Sequence, residues 1–154
     1  MANHETVLKV LHIADAEAGT HEIGGNDCGP RIKEYLASVG LPEGNPFCAS
    51  FVHWCFEKAG IAWPKTGDTW ALQTWARDHG CYTLTPSQGD VFLLIGGDGN
   101  PEHTGFVEKV NGDNTVGTIE ANTHQDGAAG GPKGVFHKTR GNGFLKFIHW
   151  PSVL

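Results

Sequence analysis

The chain is 154 residues long, 39% hydrophobic and 18% charged, which suits one globular domain over residues 1–154 and excludes a disordered chain. Its formal net charge is −6 and it has no basic run, which excludes the clustered positive footprint of a nucleic-acid binder. The longest apolar stretch, VFLLIG from Val91, falls far short of the roughly 20 residues of a membrane span.

In chain order, "MANHETVLKVLHIADAEAG" predicts an amphipathic helix with Val7, Leu8, Leu11, Ala14 and Ala18 on one face. It has no basic head followed by an apolar block, so synthesis in the cytoplasm without a secretory signal is expected. In "CGPRIKEYLASVG", Pro30 occupies a first helical position and Gly40 a stop. Asn26, Asp27 and Gly29 ahead of it read as turn and cap residues. The third helix is "GNPFCASFVHWCFEKAG", residues 44–60, with Asn45 as N-cap, Pro46 as first residue and Cys48 as third. A fourth is "GDTWALQTWARDHG", capped by Asp68 and ended by Gly80. From Asp90 onward the texture turns to strands separated by Gly, Asn and Asp: "DVFLLI", "HTGFVEKV", "TVGTIEAN", "GVFHKTR" and "FLKFIHW". Helices followed by antiparallel strands make an α+β arrangement. The glycine-rich loops at 96–102 and 124–133 are expected at the surface, near any site.

Four cysteines at 28, 48, 55 and 81 contain no C-x-x-C pair, and the nine histidines contain no H-E-x-x-H, so no metal centre is expected. Cys48 differs from the others in position. The first turn of a helix has backbone N–H groups without intrahelical partners, and these favour a thiolate. The same groups suit an oxyanion hole, with the Cys48 N–H as one donor and the Asn45 side chain a candidate second. An imidazolium alongside would complete the activation. Cys55 lies two turns on, among Phe51, Val52 and Ala59, and reads as core. Trp63, Trp70 and Trp75 read as core or as the lining of a groove.

The strands offer a candidate base. "HTGFVEKV-NGDN-TVGTIEAN" predicts a hairpin in which Asn111 faces Asn114, His103 faces Asn122 and Gly105 faces Glu120. Residues directly opposed or two apart share a face, so His103, Glu120 and Asn122 converge. His103 is then the proton acceptor, and Glu120 or Asn122 the group that holds its other ring nitrogen. A slip of one residue would send Glu120 to the opposite face. Gly105 leaves space for a ring or a substrate backbone. His124 and His137, by the second glycine-rich loop, could touch substrate.

"NPFCASFVHWCFEKAG", "PSQGDVFLL", "HTGFVEKVNGD" and "TIEANTHQDG", in that order and spacing, resemble the CHAP family, the cysteine- and histidine-dependent amidohydrolases/peptidases of peptidoglycan that include many phage endolysins. The resemblance runs from about Gly24 to Phe147. It implies a papain-like fold, with N-terminal helices packed on an antiparallel sheet of five to six strands. It also implies Cys48 as nucleophile, His103 as base and later acid, Glu120 as orienting carboxylate and Asn122 as a supporting polar residue. Some family members bind calcium in the loop before the cysteine, but "GLPEGNPF" offers only Glu43, so no cofactor is expected. The expected partner is bacterial peptidoglycan, met after release by lysis, a holin or secretion, with the protein a monomer that needs no membrane. The alternative is a wall-binding or phage tail module that keeps the fold without turnover.

Overall fold

A computed structural model describes residues 4–127 and 130–154; Met1–Asn3 and, within the second glycine-rich loop, Ala128–Ala129 lie outside the described residues. Four helices come first: α1 His4–Asp15, α2 Pro30–Ser38, α3 Cys48–Ala59 and α4 Thr69–Asp78. Six strands follow: β1 Tyr82–Thr83, β2 Val91–Ile95, β3 Pro101–Val110, β4 Thr115–Thr123, β5 Gly134–Gly141 and β6 Leu145–Ile148. They form one antiparallel sheet in the order β1-β6-β2-β3-β4-β5. This is the α+β, papain-like arrangement expected. No described helix is long and apolar enough to cross a membrane.

The main core lies between the helices and one sheet face, where Val91, Leu93, Phe106, Ile119, Ala121, Val135 and Ile148 join the buried residues of the helices. Phe51 and Phe56 of α3 pack on Phe106 at centroid distances of 6.4 and 5.6 Å. Every residue of α3 from Cys48 to Phe56 is buried, because α1, α2 and the sheet enclose it. Its sequence is accordingly apolar nearly all round, and Cys55 is core as expected. A smaller cluster on the other sheet face holds Phe92, Val107, Val116, Leu145 and Phe147.

Three local expectations are corrected. In α1 the buried residues are Val7, Val10, Leu11 and Ala14; Leu8 is exposed, and Ala18 lies beyond the helix end. Helix α3 begins at Cys48 itself, with Phe47 as N-cap. Asn45 instead donates its side-chain amide to the Pro42 carbonyl, closing a turn in which Gly44 takes φ +92°. Fully buried Phe47 draws the chain into the core there, so the helix starts later than its cap-like residues suggest. The hairpin turn is also one residue longer than expected: Asn111 pairs with Thr115, and Asn114 occupies the left-handed region.

One sheet edge is short and the other is partly covered. At one side β1 is two residues long and pairs only with β6. At the other, Gly19 and Thr20 bond to Val135 and His21 bridges Gly134, at the start of β5. A short edge strand, or one partly covered, offers fewer free backbone groups to template aggregation.

Candidate active site

Strand β3 carries His103 and β4 carries Glu120, with register decided by two departures that cancel. The longer turn sets Val110 against Val116 and Lys109 against Gly117, one residue off the expected pairing. A bulge at Glu108 then absorbs one residue, so Val107 meets Thr118 and Phe106 meets Ile119. Beyond the bulge the pairing is the one the sequence predicts, and His103 and Glu120 share a face. His103 Nε2 lies 2.9 Å from Glu120 Oε1. Nδ1 is left as the ring nitrogen for Cys48, whose nearby sulfur favours the charged ring.

Glu120 is wholly buried and fully engaged. Oε1 also accepts from Arg140 Nη2 at 2.7 Å, while Oε2 accepts from Arg140 Nε and from Thr118 Oγ1, each at 2.6 Å. Burial alone would raise its pKa, but Arg140 and His103 outweigh it and hold the carboxyl down at about 2. For His103 burial disfavours the charged ring. The Cys48 sulfur and Glu120 prevail, and its pKa is raised to about 9. The group is thus suited to a thiolate–imidazolium pair backed by a carboxylate.

Cys48 is nearly buried at the first position of α3. The first intrahelical bond of α3 runs from Phe51 N–H to Phe47 O, so the amides of Cys48, Ala49 and Ser50 precede the helical ladder. Starting the helix at Cys48 therefore keeps the donors that an oxyanion needs. The Asn45 amide is turned back on its own loop and is not brought to them.

Asn122 has φ +59° and sits where the β4–β5 register shifts between Glu120 and Thr123. Its buried Oδ1 has no hydrogen-bond partner, and among the described residues no bond joins Asn122 to His103. A left-handed asparagine with an unpaired buried oxygen is a stored cost of the kind found at functional positions. Gly105 leaves room for something other than substrate: a Cβ there would lie 2.7 Å from the Phe92 ring and 2.9 Å from the Ile119 carbonyl oxygen. The Phe92 ring stands edge-on to His103 at 6.0 Å and beneath the Arg140 guanidinium at 5.9 Å.

The loop before the cysteine is tied down by carboxylates. Glu43 accepts from Gly29 N–H, Asp27 O accepts from Gly44 N–H, and Lys133 Nζ lies 2.7 Å from Asp27 Oδ1. Among the described residues one group, Asp15, Glu108 and His137, has possible metal-ligand atoms within 4.8 Å of one another. His137 already spans the two acids there, with Nε2 at 2.8 Å from Asp15 and Nδ1 at 3.4 Å from Glu108. It links α1 to the bulge of β3. His124 bonds the Gly131 carbonyl. Trp63 stacks on Phe56 at 4.2 Å and lies beside Trp75, whereas Trp70 is exposed. All four cysteines are free thiols.

Arg140 and Thr118 are the site's unanticipated members. The available signal was parity: Thr118 is two residues from Glu120, and β5 alternates so that Arg140 shares their face.

The CHAP domain family model matches residues 40–122, which include Cys48, His103, Glu120 and Asn122. No curated protein matches the chain. Among solved structures, an N-acetylmuramoyl-L-alanine amidase from Staphylococcus aureus aligns at 25% identity and TM-score 0.48, over 70% of this chain and 31% of that one. Ly7917 aligns at 19% identity and TM-score 0.51, over 92% of this chain and 61% of that one. The chain thus spans less than two thirds of either protein.

Proposed function

The chain belongs to the CHAP domain family, and on that premise we propose that it is a peptidoglycan hydrolase that cuts an amide bond with Cys48 as nucleophile. The observation that carries this reading is the buried His103–Glu120 pair set against a cysteine at a helix head. A surface histidine with a chance neighbour would have no such burial, and a wall-binding module would have no use for it.

The mechanism follows from the atoms. His103 Nδ1 takes the Cys48 proton, and Glu120 holds Nε2–H and offsets the charge gained by the ring. The thiolate sulfur bonds to the amide carbonyl carbon as the carbonyl pair moves to oxygen. The Cys48 N–H then faces the oxyanion at the positive end of α3. The C–N bond breaks, and the proton on Nδ1 passes to the departing amine. Water, deprotonated by the same nitrogen, attacks the thioester; the C–S bond breaks and a carboxylate leaves. Asn122 supplies a polar lining beside the base. The scissile bond is the N-acetylmuramoyl–L-alanine amide or a link in the stem peptide or cross-bridge. A lytic role of the endolysin kind, acting on the wall as a monomer, is in keeping with this.

The test is incubation of wild type and Cys48→Ala with peptidoglycan sacculi, with mass spectrometry of released fragments. Wild type releases them and Cys48→Ala does not. New alanine amino termini on intact glycan mean amidase, and cut cross-links mean endopeptidase. Release by neither protein overturns the reading in favour of the binding module.

A further inference from the structure

We infer that Arg140 is a positioning residue: its two-pronged grip on Glu120 fixes the plane of that carboxylate and so aims the His103 ring at Cys48. The inference builds on the hydrolase reading but concerns the thiol–imidazole pair itself. A carboxylate offers about four acceptor sites, and all four on Glu120 are taken. Arg140 supplies two, through Nε and Nη2 to different oxygens, so the carboxylate can neither rotate nor slide along the strand. The guanidinium is itself held in place. It extends from β5, where Arg140 pairs with Val116, and lies over the Phe92 ring that also backs His103.

Glu120 has no contact with solvent, so without Arg140 it would face burial with only His103 and Thr118 as partners. A carboxyl in that position protonates more readily or swings out of plane. Either change releases Nε2–H and frees the imidazole to flip tautomer or tilt from the sulfur. Lysine would keep the charge and lose the fork, because an ammonium is a point donor that cannot fix a plane.

The experiment uses the full chain as wild type, Arg140→Lys and Arg140→Gln, with folding checked by circular dichroism. The rate of Cys48 alkylation by iodoacetamide is followed by mass spectrometry from pH 4 to pH 10. At about pH 6 the rate falls ~10-fold or more in Arg140→Gln and at least ~3-fold in Arg140→Lys, with both recovering to within about twofold of wild type near pH 10. A merely structural loss would change access to the sulfur at every pH. Profiles that superimpose on wild type overturn the inference. If Arg140→Gln does not fold, Arg140→Lys decides by the same criterion. Nitrogen-15 shifts of His103 in the wild type add a readout without substitution: Nε2 must stay protonated across the range, and an Nδ1–H tautomer overturns the inference. None of these readouts needs peptidoglycan. Inert sacculi alongside a shifted alkylation profile would sink the hydrolase reading and leave the role of Arg140 standing.

Discussion

At the residue scale the site rests on how charge is placed around one ring. His103 is buried, which by itself would keep it neutral, yet it lies between the Cys48 sulfur and the Glu120 carboxylate, and its pKa is raised to about 9. The imidazolium is therefore present below that value and lost as pH rises through it. Hydrolysis of sacculi should hold up to about pH 9 and decline above it as the acid that protonates the leaving amine disappears. Activity still climbing at pH 10.5 would contradict this assignment. Burial pushes the Cys55 thiol of α3 well up, and the Glu17 carboxylate adds to the rise. Cys48 could be picked out in the sequence because a helix start is a local feature. Arg140 could not, since 20 residues and a strand crossing separate it from the carboxylate it grips.

At the element scale the hairpin decides whether those residues meet. Its expected register is observed at Phe106 and Val107, although the turn is longer than expected, because the bulge at Glu108 restores the phase ahead of His103 and Glu120. Hydrophobic alternation fixes the phase of each strand against the core, and the turn has to adapt to it. Gly105 shows how little slack remains. A methyl there would press on the Phe92 ring and the Ile119 carbonyl, and Phe92 backs both His103 and Arg140. Gly105→Ala should cost about 1–3 kcal/mol in denaturant unfolding and lower kcat more than it raises KM. Stability and kinetics both within error of wild type would show that the sheet can yield at this point. The late start of α3 has a similar cause: Asn45 and Pro46 look like a cap and a first turn, but burial of Phe47 sets where the helix begins.

At the scale of the whole molecule, the site's charges also shape stability. Glu120 titrates at about 2 when folded against an ordinary value of 4.5, so its contribution is complete above about 4.5 and is lost as pH falls through about 2. Asp90 has the opposite sign. Burial raises it to about 6 despite His149 and the Ser87 amide, so its contribution is present below its ordinary 3.8 and lost as pH rises through about 6. Melting temperatures from pH 2 to pH 8 should show Glu120→Gln well below wild type at pH 6 and converging on it near pH 2. A constant gap across that range would mean that Glu120 acts through shape and not charge. What the sequence by itself determined was what local rules can carry: four helices, five of the six strands, and a cysteine at a helix head with a histidine and a carboxylate in phase on neighbouring strands; the packing of helices on the sheet came from the family resemblance. Only the tertiary structure decided where α3 begins, how the turn and the bulge cancel, and that Arg140 closes the line of charges. These depend on packing between segments distant in the chain, where burial of one side chain outweighs the propensity of its neighbours.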